Sequence, residues 1–192
     1  MLPVKPDIRW QLAAQLGVKY AVTKAAPELS GLPDPSDFSA LRTVRDRFAD
    51  AGFTLYALEG DEFDMSRIKL GLPGRDEDIG KYRKMLANMG RLGIRILCFN
   101  FMAGVGWFRS RNDLKERGGA LTSGFDLADI NNDVPLRITE EQLWNNLFYF
   151  LKHTPGTTPD GALTENSLLA TAFDLCPYPA TRNFGFAINI GF

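Results

Sequence analysis

The stretch Arg95-Ile96-Leu97-Cys98-Phe99-Asn100-Phe101-Met102, followed by Gly106-Trp107-Phe108-Arg109, decides how the rest of the chain is read. Ile94 to Phe99, interrupted only by Arg95, is an apolar run of strand length, the pattern of a strand buried on both faces. It ends in Asn100, and the loop beyond offers an aromatic ring, Trp107, and a guanidinium, Arg109. In parallel sheets, open or closed, the C-terminal strand tips are where polar side chains meet a ligand.

Working outward, three segments share one grammar: an amphipathic helix, a glycine, then a short apolar strand. They are Trp10 to Leu16, Gly17 and Val18 to Thr23; Phe38 to Ala51, Gly52 and Phe53 to Leu58; Asp76 to Leu92, Gly93 and Ile94 to Phe99. The glycines stand 35 and 41 residues apart. A glycine just past the last helical turn takes the left-handed C-terminal cap at little steric cost. Leu41, Val44 and Phe48 recur at helical spacing behind an N-cap at Asp37, and Ile79, Tyr82, Leu86 and Met89 form a second stripe. Asp76, Glu77 and Asp78 sit in a first turn, where carboxylates suit the helix dipole. Thr139-Glu140-Glu141-Gln142 is a capping-box pattern that opens a further helix, with Leu143, Leu147 and Leu151 inward. Helices and strands alternating in this way predict right-handed crossovers and an α/β fold with a parallel sheet. Strands are expected near 18–23, 53–58 and 94–100, and helices near 38–51, 76–92 and 139–152. A closed (β/α)8 barrel takes about 250 residues, so 192 residues allow a partial TIM barrel with about half the strands. The expected organisation is a partial (β/α) barrel over 1–153 and a divergent tail over 154–192.

The Cys98-Phe99-Asn100-Phe101-Met102 strand end and the Trp107-x-Arg109 loop resemble those of mannonate dehydratases, with Phe99 as one Tyr-to-Phe change. The resemblance extends to Ala49-Asp50-Ala51-Gly52-Phe53, to Ala57-Leu58-Glu59, to Leu86 through Gly93 and to Glu141 through Lys152, so it covers roughly residues 8 to 152. It implies a xylose-isomerase-like barrel and a cytoplasmic lyase of hexuronate catabolism, dehydrating D-mannonate to 2-keto-3-deoxy-D-gluconate. It also implies a Mn2+ or Fe2+ ion held by His, Cys and Asp ligands from later strands, which would stabilise the enediolate formed beside the carboxylate.

Each candidate site residue has two readings. Asn100 either faces the substrate or terminates its strand by bonding its own backbone; the resemblance implies the former. Arg109 either grips a sugar-acid carboxylate bidentately or is a solvated loop arginine; the resemblance, which places Trp107 beside it, implies contact with substrate. Trp107 either stacks on a sugar face or anchors its loop. Glu59 closes the second strand, facing the pocket or solvent, while Asp61, Glu62 and Asp64 read as a solvated acidic loop. Cys98 reads as a buried packing residue. Gly71-Leu72-Pro73-Gly74-Arg75 lacks the Lys-Ser/Thr of a phosphate loop and is a turn, and Gly104-Val105-Gly106 does not extend to a dinucleotide fingerprint. The long segment from Phe101 to Arg137 reads as a loop that covers the site. No catalytic residue and no metal ligand is assigned.

Net charge is −1, from 22 basic and 23 acidic residues, which gives no footprint for nucleic acid or an anionic membrane. No apolar run reaches the roughly 18 residues of a membrane span, and the first seven residues lack an apolar export signal. Cys98 and Cys176, without CxxC spacing, suit a reducing compartment. The metal-binding half of the family pattern is missing. The chain has one histidine, His153, at a helix end, and the segment from Phe184 to Ile190 carries no cysteine. Cys176 stands earlier, in Asp174-Leu175-Cys176-Pro177, and Thr154 to Gly161 reads as an irregular link. Two functions are expected: an incomplete copy of the lyase, truncated or shifted in frame, or a non-catalytic half-barrel that binds a sugar acid. Unpaired strand edges would favour assembly with another chain, a homo-oligomer included. A related metal-dependent sugar isomerase fits the Asn-Phe-Met and Trp-x-Arg pattern less well.

Overall fold

The computed structural model describes residues 1–103, 109–129 and 138–154, together with two tail strands. Helix α1 (Ile8–Gln15) leads into β1 (Tyr20–Thr23), and a short α2 (Pro27–Ser30) precedes α3 (Phe38–Asp50) and β2 (Thr54–Glu59). A second short helix, α4 (Ser66–Leu70), precedes α5 (Arg75–Arg91) and β3 (Ile96–Asn100). A hairpin, β4 (Arg111–Lys115) and β5 (Leu121–Gly124), comes before α6 (Glu140–His153), and the tail adds β6 (Asp174–Leu175) and β7 (Phe184–Asn189).

The helix-glycine-strand grammar has a common geometric basis. Gly17, Gly52 and Gly93 take φ of 76°, 82° and 72°. In each case the glycine N–H reaches back three residues and the next N–H reaches back five: Val18 to Ala13 at 3.0 Å, Phe53 to Phe48 at 2.9 Å and Ile94 to Met89 at 2.9 Å. This paired closure satisfies the last helical carbonyls and turns the chain sharply into the strand. A Cβ added at Gly93 would meet no atom within 4 Å, so a side chain there costs only backbone strain. Gly93→Ala should therefore lose about 1–2 kcal/mol, and Gly93→Asn less, read as a shift in the urea midpoint. Equal midpoints for all three chains would show that this cap carries no stability.

Asp37 caps α3 through a bond from the Ala40 N–H at 2.8 Å, and Thr139 and Gln142 form the reciprocal capping box of α6. β1, β2 and β3 are parallel neighbours in that order. Their pairing shifts by one residue at Tyr56, a bulge that keeps Leu55 and Leu58 on one face of the sheet. Ala21, Leu97 and Phe99 share that face and pack beneath Leu41, Val44 and Phe48 of α3 and Ile79, Tyr82, Leu86 and Met89 of α5. Trp10 closes the near end, stacked on Phe48 at 4.2 Å. Phe150 of α6 closes the far end, 5.0 Å from Tyr82 and 5.7 Å from Phe99. On α6, Leu147 and Phe150 are the buried side chains, while Leu143 and Leu151 lie partly buried at the margin.

Three expectations need correction. The sheet is mixed rather than parallel throughout, because β7 runs antiparallel along β3. β6 and β7 also pair antiparallel with each other, so one arm of that pair must run against the parallel strands. The segment from Phe101 to Arg137 is not one irregular loop, since it contains the β4–β5 hairpin; its strands are exposed except at Leu114 and Gly124 and carry no apolar alternation to reveal them. Cys98 is half-buried on the face turned away from the helices, since it pairs with exposed Glu59. Period-two alternation cannot assign faces in a strand that is apolar from Ile96 through Phe99.

Candidate functional site

The carboxyl ends of β1, β2 and β3 lie side by side, and Glu59, Asp61, Glu62, Lys69 and Asn100 gather there. Glu59 ends β2 on the same face as Cys98, and Asn100 follows two residues along β3, which returns its side chain to that face. Burial, and then the charge of Glu59, push the Cys98 thiol above its usual range. Gly60 follows with φ of 104°, which lets its N–H donate to the Cys98 carbonyl at 2.9 Å and holds the two strand tips together.

Beyond Gly60 the chain turns into α4, and Lys69 on that helix points back to the strand ends. Its ammonium donates to Asp61 Oδ2 at 2.5 Å and to Asn100 Oδ1 at 3.0 Å. The side chain is only 5 % exposed, a degree of burial a lysine adopts when paired. Asn146 of α6 donates to the Lys69 carbonyl at 3.1 Å and so braces α4 from outside.

Glu62 is buried beside this pair, with 1 % of its surface exposed. Its Oε2 accepts the Ala25 N–H at 2.6 Å, which ties the tip of β1 to that of β2. Its Oε1 and the buried Tyr82 hydroxyl have no hydrogen-bond partner among the described residues. Burial pushes the Glu62 carboxyl up to about 8, against the opposing pull of the Ala25 N–H and Lys24, with Glu28 and Asp61 adding to the rise. Burial likewise raises the Tyr82 hydroxyl. The acidic run is thus not a solvated loop. Glu62 is core, Asp61 is paired, and exposed Asp64 opens α4 by accepting the Ser66 N–H at 2.9 Å.

Of the four residues singled out in the sequence, the structure brings Glu59 and Asn100 together. Arg109 is exposed at the foot of the hairpin. There the Ser110 hydroxyl accepts the Asp126 N–H at 2.8 Å and donates to Asp129 at 3.3 Å. Trp107 lies outside the described residues, as do Gly104-Val105-Gly106 and Cys176. The sequence signal for Lys69 and Glu62 was absent, because both depend on partners 31 and 37 residues away.

Among the described residues the donors present do not fit a divalent ion. The single histidine, His153, ends α6 stacked on Tyr149, with its Nδ1 2.7 Å from the Tyr149 carbonyl. Among the described residues no three of His, Cys, Asp and Glu gather to hold a metal. Nor is any described helix long and apolar enough to cross a membrane.

A family model for D-mannonate dehydratase (UxuA) matches residues 14–140. Mannonate dehydratase of Brachyspira hyodysenteriae is 30% identical over 144 residues, which are 75% of this chain and 39% of the relative. That of Lactococcus lactis subsp. lactis is 31% identical over 149 residues, 78% of this chain and 40% of the relative. The crystal structure of mannonate dehydratase from Streptococcus suis serotype 2 superposes with a TM-score of 0.66 at 25% identity, covering 78% of this chain and 46% of that one. The chain therefore spans less than half the length of the relatives it matches.

Proposed function

The chain belongs to the D-mannonate dehydratase family, and from that premise we propose that it supplies the substrate-binding side of a sugar-acid lyase. The reaction would convert D-mannonate to 2-keto-3-deoxy-D-gluconate and water, a step of hexuronate breakdown in the cytoplasm. Residues 1–153 would form a partial (β/α) barrel and 154–192 a divergent tail. The observation that supports this reading best is the convergence of Glu59, Asn100, Asp61 and Lys69 at the strand tips within the matched region. In this reading Asn100 donates to a substrate oxygen and Glu59 accepts from a sugar hydroxyl. Arg109 pairs with the carboxylate, and Trp107 covers a sugar face.

The family chemistry calls for Mn2+ or Fe2+, yet His153 is committed at a helix end, and among the described residues no three metal donors gather near the strand tips. That shortage favours a second reading, in which these 192 residues bind a sugar acid without turning it over, alone or assembled with a further copy. The two separate in one experiment on the purified chain with D-mannonate and Mn2+. We expect D-mannonate to shift the side-chain amide and guanidinium signals of Asn100 and Arg109, without formation of the 2-keto-3-deoxy product. We also expect Mn2+ to bind no tighter than to a generic acidic surface. Turnover that a chelator abolishes would make the chain a complete lyase, and absence of any D-mannonate binding would sink both readings.

A further inference from the structure

The contacts at the β3 tip fix which end of the Asn100 amide is available to a ligand. Asn100 Oδ1 accepts from the Lys69 ammonium at 3.0 Å and from the Met102 N–H at 3.3 Å. An ammonium and a backbone N–H both donate and neither accepts, so the atom facing them has to be the oxygen. A flipped amide would set its NH2 against an ammonium and a backbone N–H with no acceptor between them. The carbonyl end is thus saturated, its two lone pairs matched by two donors. Neither hydrogen of Nδ2 has an acceptor among the described residues, and the side chain stays half-buried on the face it shares with Glu59. Lys69 is itself held: Asp61 takes another of its hydrogens at 2.5 Å, and the nearly complete burial of its side chain leaves little freedom to swing away.

We propose that Lys69 is the positioning residue of this site, locking the Asn100 amide with its NH2 toward the ligand. The strand tip then offers a hydrogen-bond donor to a carboxylate or hydroxyl oxygen of a sugar acid. Asp61 neutralises Lys69, so the pair orients Asn100 without adding net charge to the site. The identity of the ligand rests on the reading given above, whereas the orientation of Asn100 does not. Lys69 acts through Asn100, not on the ligand.

The test uses the full 192-residue chain labelled with 15N, with the Asn100 side-chain signals assigned by their loss in Asn100→Ala. Without any ligand, Lys69→Met should shift the Asn100 amide pair and lower its order parameter, while the backbone signals of β1 and α3 stay in place. Because Lys69→Met strands a half-buried Asp61, Lys69→Met/Asp61→Asn provides a neutral second variant, expected to release Asn100 in the same way. An Asn100 pair unmoved and equally ordered in both variants overturns the proposal, however D-mannonate behaves. With D-mannonate as probe, the double variant should bind about tenfold more weakly than the wild type, and equal affinity would also overturn it. If the wild type does not bind D-mannonate while Asn100 still loosens in both variants, the positioning role stands and the sugar-acid reading falls.

Discussion

Glu62→Gln should stabilise the chain increasingly as pH rises, by on the order of 3–5 kcal/mol at pH 9, and should leave stability at pH 4 nearly unchanged. Glutamine reproduces the protonated acid in shape and can still accept the Ala25 N–H that Glu62 holds at 2.6 Å. The folded carboxyl sits at about 8 because burial disfavours its charge, while in the unfolded chain it returns to the ordinary range near 4.3. Between those values the folded state holds a proton that the unfolded state has released, so stability falls with rising pH across that window. The contribution is fully present below the unfolded value and is lost as pH passes the folded one. The charged and titratable neighbours are Lys24, Glu28 and Asp61, with Tyr82 beneath. All of them remain in the variant, so their own titrations largely cancel in the difference. Urea unfolding of both chains from pH 4 to 9 gives the result directly. Stability curves that run parallel across the window would mean that Glu62 is ionised in the fold, with a partner for its second oxygen.

A substitution that stabilises a protein at neutral pH identifies a group kept at some cost, and the position of Glu62 suggests what it does. It joins the tip of β1 to the loop after β2, and Asp61 beside it anchors Lys69 under Asn100. None of this was legible in Glu59-Gly60-Asp61-Glu62, where Asp61 and Glu62 read as a solvated acidic loop. The parts that were legible are those set by local rules. Gly17, Gly52 and Gly93 mark the helix ends because only glycine takes that backbone turn without strain. Asp37 and Thr139 mark the starts because their side chains meet helix donors three residues on. Asn100 stood out because a polar residue closed an apolar run. The burial of Glu62 and Lys69, the facing of Cys98 away from the helices and the antiparallel placement of β7 are decided by elements distant in sequence, and no window of neighbouring residues carries them. The β4–β5 hairpin escaped for a different reason: it buries little, so its strands lack the alternation that betrays a half-buried sheet.

Phe150→Ala should cost about 3–5 kcal/mol, the usual range for emptying a fully buried aromatic position, and should loosen the candidate site along with the core. Phe150 has no exposed surface, and its ring lies 5.7 Å from Phe99 and 5.8 Å from Phe101. Those two residues flank Asn100 in the chain, so the packing that seats α6 also fixes the strand tip on which Asn100 stands. The same helix bears on the site a second time through Asn146, whose amide donates to the Lys69 carbonyl at 3.1 Å. Removing the ring therefore releases both ends of the Lys69–Asn100 contact, whereas a core substitution of similar size elsewhere should not. Phe48 is an apt control, since it too is fully buried but stacks on Trp10 at the opposite end of the same core. Phe48→Ala should lose comparable stability while the Asn100 side-chain signals keep their positions. Phe150→Ala should lower the urea midpoint to a similar degree and also shift and broaden those signals, under conditions where both variants remain mostly folded. If the two variants disturb Asn100 equally, the coupling is no more than general loosening of the core, and α6 has no special part in shaping the strand tips.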